Sequence, residues 1–281
     1  MLKGVSLTAA FCGLLFSPAS APAAMTCPHR TDQVVIPAGP FWMGSDAEER
    51  FLANRLSSPE TVAAGWFSLE TPRHQVTSEA FCIDRHLVTQ KQYLDFVART
   101  GHAPPGISRA DYMRQGFLVH DYSSWMPYFW PRRTPPRDRL DHPVVLVSAH
   151  DAQAYCRWQH PAGRLPTEVE WEKAARGTDG RIFPWGDTWD PDRLNSAMRG
   201  PQGTTPVGRY PSGGSPFGIL DAAGNVFQWT STRLPSGLRV LKGCAWDDDA
   251  GLCRPAASHA RPETSRHILI GFRCAGPPNP L

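Results

Sequence analysis

The chain has 281 residues, with Lys+Arg 29 against Asp+Glu 26 and a formal net charge of +3; that length holds one large domain or two small ones. Both signs of charge are interspersed, and no basic tract of the kind a nucleic-acid footprint needs is present. The 28 Pro, 24 Gly and 10 Trp favour turns and irregular loops over long helices while supplying large aromatic bodies for a core.

The N-terminus carries Lys3, an apolar run from Val5 to Phe16, and then the small residues Ala19-Ser20-Ala21-Pro22-Ala23-Ala24. A charged start, a short apolar stretch and an Ala-x-Ala-like end predict a secretory signal peptide over 1–24. The run is too short to span a bilayer. Residues 25–281 are therefore expected to form a soluble exported protein with no membrane segment. Of seven cysteines, removal of Cys12 with the signal leaves Cys27, Cys82, Cys156, Cys244, Cys253 and Cys274. An even number in an oxidising compartment predicts a disulfide framework, and six cysteines leave fifteen pairings open.

Gln33-Val34-Val35-Ile36 reads as a strand, and Phe41-Trp42-Met43-Gly44 resumes beyond Pro37-Ala38-Gly39-Pro40 as the second arm of a hairpin. Residues 46–70 are polar and mixed, a surface excursion, and a second strand pair ends at Phe81-Cys82-Ile83-Asp84. His74 reads as a hydrogen-bonded strand-edge residue before it reads as a ligand. Thr89 and Gln92 form a capping box that opens a helix with Tyr93, Phe96 and Val97 on one face and Gly101 as its stop. Residues 102–142 show no sustained period, and a connection of that length is usually functional. Its Trp125, Tyr128, Phe129 and Trp130 either line a cleft or pack on the core.

Pro143 to Val147 is predicted as a short buried strand. Ser148, with Asp151 at the third helical position, starts a helix carrying Tyr155, Cys156 and Trp158. A further capping box, Thr167 with Glu170, opens a helix that ends at Gly177. Capping and the helix dipole account for Glu168, Glu170 and Glu172 better than acid catalysis does. Asp221-Ala222-Ala223-Gly224-Asn225-Val226-Phe227-Gln228 spaces side-chain and carbonyl oxygens so that Asp221, Gly224, Val226 and Gln228 either converge on calcium or form an Asp-held turn. Lys242 to Arg254 then gathers Cys244, Cys253, Trp246 and the three acids Asp247, Asp248 and Asp249. This is the first place to look for redox or metal chemistry. Ile268 to Cys274 closes the chain as a core strand, and no internal repeat is present.

The series Phe41-Trp42-Met43-Gly44, Glu70-Thr71-Pro72-Arg73-His74, Gly163-Arg164-Leu165-Pro166-Thr167-Glu168, Phe183-Pro184-Trp185-Gly186-Asp187, Gly224-Asn225-Val226-Phe227-Gln228-Trp229 and Gly271-Phe272-Arg273 resembles the formylglycine-generating enzyme, or sulfatase-modifying factor, family. The match runs in order through nearly all of the mature chain. It implies a single α+β domain, distantly like C-type lectins, with little regular secondary structure. It also implies a bridge between Cys156 and Cys274. Cys27 and Cys82, near the two ends of the first sheet segments, are expected to form a second.

The departures from the family pattern fall in the loop. Formylglycine generators use two thiolates five residues apart to bind copper(I) and activate oxygen. Aligned on Trp246, this chain keeps the second as Cys253 but has Asp248 for the first, Ala245 for a serine and Cys244 for a glycine. A carboxylate is a hard donor unsuited to copper(I), so no copper is expected, and Cys244 with Cys253 form a structural or a redox-active disulfide. Asp221, Gly224, Val226 and Gln228 match one family calcium site, with Gln228 in place of a glutamate. Asn195 and Ser196 match part of a second, where Arg199 replaces an aspartate; a guanidinium in the ion's charge position predicts that this second site is empty.

An iron-binding branch of the family carries a separate three-histidine helical domain, and no such domain fits here. An export signal, a lone domain and a lost cysteine pair together resemble the branch acting in periplasmic pyoverdine maturation. That implies oxidation of a dihydropyoverdine precursor, a small or peptide-derived substrate, near Trp246, Asp248 and Cys253. Asp248 or Asp249 would be the base, and Arg254 would hold an anion. The rival readings are a binding or scaffold module of the same fold, and a true formylglycine-generating oxidase using Cys253 alone or with Cys244.

Overall fold

The computed structural model describes residues 25–28, 32–116 and 119–280; the expected signal segment, with Cys12, lies outside them. The chain opens with β1 (Met25–Thr26), β2 (Gln33–Ile36), β3 (Gly39–Met43), α1 (Ala47–Arg55), α2 (Pro59–Ala63), β4 (His74–Ser78) and β5 (Phe81–Asp84). Four helices follow: α3 (Gln90–Thr100), α4 (Arg109–Gln115), α5 (Ala149–Gln159) and α6 (Glu168–Arg176). The last third supplies β6 (Phe227–Arg233), β7 (Arg239–Lys242), β8 (Ser258–Arg261), β9 (Ile270–Gly271), β10 (Ala275–Gly276) and β11 (Asn279–Pro280). Apart from α1 and α2 between β3 and β4, helices and strands are segregated along the chain, and the architecture is the single α+β domain expected.

The strand pairings differ from the local reading. β2 pairs with β5, Val34 opposite Ile83, and β3 pairs with β4, Phe41 opposite Val76. Residues 33–44 and 74–84 are therefore not two hairpins; each strand pair is split between two sheets. The reason is burial: Val34, Ile36, Phe81 and Ile83 pack together against Trp171, Ala174 and Ala175 of α6, a reward that a two-stranded ribbon cannot match. The excursion at 46–70 is largely helical, with Asp46 capping Glu49 N and Ser58 capping Thr61 N. Within 102–142, Ser108 caps α4, Gly116 closes it at φ 70°, and short 3₁₀ turns follow. Trp125, Tyr128 and Trp130 are buried in the main core, which decides for packing over a cleft.

Val144 to Val147 is buried but not a strand, because Leu146 sits at φ 60° and breaks any ladder. The closing segment likewise splits: β9 runs parallel to β6, and β10 joins β5. The fully buried Arg273 lies between them.

The helix starts follow their local signals. Thr89 with Gln92, Ser148 with Asp151, and Thr167 with Glu170 each form a complete capping box. Arg164 adds a bidentate clamp on Glu170, 2.6 Å at each oxygen. Three disulfides are closed among the described residues: Cys27–Cys82, Cys156–Cys274 and Cys244–Cys253. The Cys156–Cys274 bond spans 118 residues and constrains the unfolded chain by about 5 kcal/mol on loop-closure grounds. It ties α5 to the segment entering β10, around the aromatic cluster of Tyr93, Phe96, Tyr155 and Phe272. The four-stranded sheet, in the order β8-β7-β6-β9, delivers the loop after β7 to the molecular surface.

Candidate functional site

The loop leaves β7 at Lys242 and turns at Gly243, φ 75°, where a Cβ would lie 3.3 Å from both Gln228 Nε2 and the Trp171 ring. Glycine is required there for both conformation and space. Backbone bonds then fix the loop: Trp246 N donates to Asn225 O (3.1 Å), Ala197 N to Asp248 O (3.2 Å) and Gly251 N to Leu56 O (3.2 Å). Cys244 and Cys253, both fully buried, are joined beneath it.

Over the loop lies a cavity of about 410 Å3. Trp66, Val119, Phe227 and Leu269 give it apolar walls, and Asp247, Asp248 and Asp249 give it an acidic floor. Asp248 is nearly enclosed, and its Oδ2 accepts from Ala245 N at 2.7 Å. Burial, reinforced by the neighbouring Asp247 charge, pushes its pKa well above the usual carboxylate range. Oδ1 is left without an amide donor, and the raised pKa favours the carboxyl form, so Asp248 suits the role of acid better than the base expected at this position.

The base candidate is instead His120. Its Nε2 lies 2.8 Å from Asp247 Oδ2, and its ring sits 4.9 Å from Trp246. Tyr112 Oη donates to the His120 carbonyl and holds the segment after α4 in place. Among the described residues, Asp247 Oδ1 and Trp246 Nε1 are buried without a hydrogen-bond partner. Behind them, burial lowers His267 to about 2 with help from His120, and lowers His259 to about 3 with help from Arg261. Both imidazoles are neutral, and His259 carries the stacked Trp66 ring, with centroids 4.5 Å apart.

Other expected site residues have structural tasks. The Arg254 side chain is fully buried, donating to Gly251 O (2.8 Å), Glu49 Oε1 (3.0 Å) and both oxygens of Glu70. It faces the interior, not the cavity, so it holds buried carboxylates and not a substrate anion. Asp249 Oδ2 accepts from Ser58 N (2.9 Å) and Thr61 Oγ1 (2.6 Å); it fastens the loop to the start of α2 and is not positioned as a base. Cys253 is bonded to Cys244. Trp246 remains at the site through its contact with His120.

The metal positions read from the family do not fit their ions. Gln228 Oε1 accepts from Trp171 Nε1 and Arg273 Nε, 2.7 Å each, and Gly224 O accepts from Val226 N at 2.9 Å. Asp221, its pKa raised by burial, accepts from Gly208 N at 2.7 Å. Gln228 Oε1 is thus committed to an indole N–H and a guanidinium, so Gln228 does not fit as a calcium ligand, and the hydrogen bonds hold the turn of Asp221, Gly224, Val226 and Gln228 together. Arg199 does not occupy the second position either: its side chain is two-thirds exposed and pairs with Asp192 at 2.7 Å. For copper(I) the donor set is the Asp248 carboxyl and a disulfide sulfur, neither of them a thiolate.

Residues 19–277 match the model of the sulfatase-modifying factor enzyme 1-like domain. The chain is 33% identical to a formylglycine-generating enzyme of Mycobacterium tuberculosis, covering 88% of this chain and 98% of that one. It is 32% identical to the inactive C-alpha-formylglycine-generating enzyme 2 of Mus musculus, over 89% of this chain and 90% of that one. The solved structure of PvdO from Pseudomonas aeruginosa shares the fold with a TM-score of 0.66 at 23% identity, covering 92% of this chain and all of that one.

Proposed function

Since the chain belongs to the sulfatase-modifying factor enzyme 1-like family, we propose that it is an oxidative maturation factor of that family that works by protein acid–base chemistry without a two-thiolate copper centre. Its substrate in this reading is a phenolic, peptide-derived small molecule of the dihydropyoverdine type, oxidised outside the cytoplasm, where three disulfides persist. The observation that carries the reading is the His120–Asp247 pair beside the buried Asp248, with both carboxylates lining an aromatic-walled cavity at the loop where the family places its thiolates.

The apolar walls of Trp66, Val119, Phe227 and Leu269 suit an aromatic ring. His120 takes a phenolic proton, and Asp247 stabilises the imidazolium that results. Asp248 donates to the neighbouring oxygen and so steadies the anion. The electron-rich ring then loses two electrons and two protons overall, and dioxygen takes them to become hydrogen peroxide. Purified mature protein with the dihydro precursor in air is expected to raise chromophore absorbance with matching oxygen uptake and peroxide release. Absorbance that rises no faster than in protein-free buffer would overturn the reading.

The closed Cys244–Cys253 bond and the kinship with an inactive relative favour a second reading, a binding module of the same fold. Saturable binding of the precursor without oxygen uptake would establish that one.

A further inference from the structure

We propose that the cavity walled by Arg139, Arg199 and Arg209 is a binding site for a small organic dianion, distinct from the acidic cavity over Asp248. This cavity is about 590 Å3, within the usual range for small-molecule clefts. It presents three guanidiniums, His142 and Tyr210 against a single carboxylate, Asp192. That carboxylate is engaged by Arg199 at 2.7 Å. Among the described residues, neither Arg139 nor Arg209 has an ion-pair partner. Arg139 lies 4.7 Å over the Tyr128 ring and donates only to the Thr204 hydroxyl, at 3.3 Å.

Two further observations point to a bound group. His142 Nδ1 meets the same Thr204 hydroxyl at 2.9 Å, so Arg139 and His142 are held side by side at one wall. The Thr205 hydroxyl, on a residue 2% exposed in the lining of this cavity, has no hydrogen-bond partner among the described residues. Burial, with the Arg139 charge beside it, lowers the His142 pKa, and its ring lines the same cavity. Uncompensated guanidiniums repel a cation, and a neutral ligand would leave them unmatched. Carboxylate and phosphate oxygens fit the planar guanidinium fork, and the Tyr210 ring with Pro201 and Pro206 suits a short carbon skeleton between two charges.

The inference does not depend on the oxidation chemistry, since none of these residues lines the cavity over Asp248. It is tested by titrating the full disulfide-bonded protein at constant ionic strength with succinate and, separately, with inorganic phosphate, by calorimetry. Saturable one-to-one binding of either anion is expected, with succinate alone indicating a dicarboxylate and phosphate alone a phosphate ester. Arg209→Gln, an exposed position that leaves folding intact, and Arg139→Gln are each expected to weaken binding about tenfold. Arg109→Gln, elsewhere on the surface, is expected to leave it unchanged. No saturable heat with either anion, or the same weakening in Arg109→Gln as in Arg139→Gln and Arg209→Gln, would overturn the proposal.

Discussion

Asp248, His120 and Arg254 show how much of a residue's role is set by neighbours that the chain brings from far away. The loop alone marks Asp248 as a candidate, but its raised pKa follows from enclosure beside Asp247. Asp247 stood in plain view among three acids, whereas its partner His120 lies 127 residues away in a stretch without periodic signal. No local pattern announces such a pair. Arg254 was misread because a guanidinium near a cleft suggests anion binding, while Glu49 and Glu70, which claim it, arrive from α1 and the turn before β4. Arg254→Met leaves these two carboxylates buried without their cation, and a loss of about 3–5 kcal/mol in denaturant unfolding is expected. A loss under about 1 kcal/mol would show that the cluster contributes little and would reopen Arg254 as a surface group.

Among the elements, helices were readable and strand partners were not. A capping box is written within four residues, and Thr89, Ser148 and Thr167 each start a helix as their spacing indicates. α1 and α4 escaped because their caps are followed by no apolar stripe broad enough to stand out. β2 and β3 were paired wrongly because register and partner depend on which face α6 covers, a long-range fact. The loop after β7 is the element on which function rests. In this account its disulfide is a brace that keeps Asp247 and Asp248 in place, not a reactant. Replacing Cys244 and Cys253 by Ala together is expected to cost about 2–3 kcal/mol from the nine-residue separation, read as a lower unfolding midpoint.

At the level of the whole molecule, family kinship and the α+β architecture were legible because the motifs run in order through the chain. The calcium positions were not, because Gln228 and Arg273 rewired the turn through contacts between separate segments. The enclosed, neutral His259 and His267 also give the fold an acid liability. Their folded pKa values, about 3 and about 2, lie below the ordinary 6.5, so the unfolded chain binds more protons between those limits. Stability is therefore full above about pH 6.5 and falls as pH drops through that window. Between about pH 7 and about pH 5 each histidine is expected to remove about 2 kcal/mol. Asp248, Asp221 and Glu49, all raised by burial, titrate in the opposite sense and destabilise the fold as pH rises, so the histidine contribution is read as the stability difference between the protein and His259→Gln across this range. A difference that does not change with pH would contradict the buried neutral imidazole.

The claim at the centre of this account is that oxidation at this site rests on His120, Asp247 and Asp248 and not on cysteine sulfur. The direct measurement is precursor-dependent oxygen uptake, with chromophore absorbance, for His120→Ala, Asp247→Asn and the Cys244→Ala/Cys253→Ala double variant, each at a temperature where it is folded. The expected result is a fall of about 10²–10⁴-fold in the first two with turnover largely retained in the third; unchanged turnover in His120→Ala together with its loss in the double cysteine variant would contradict the account.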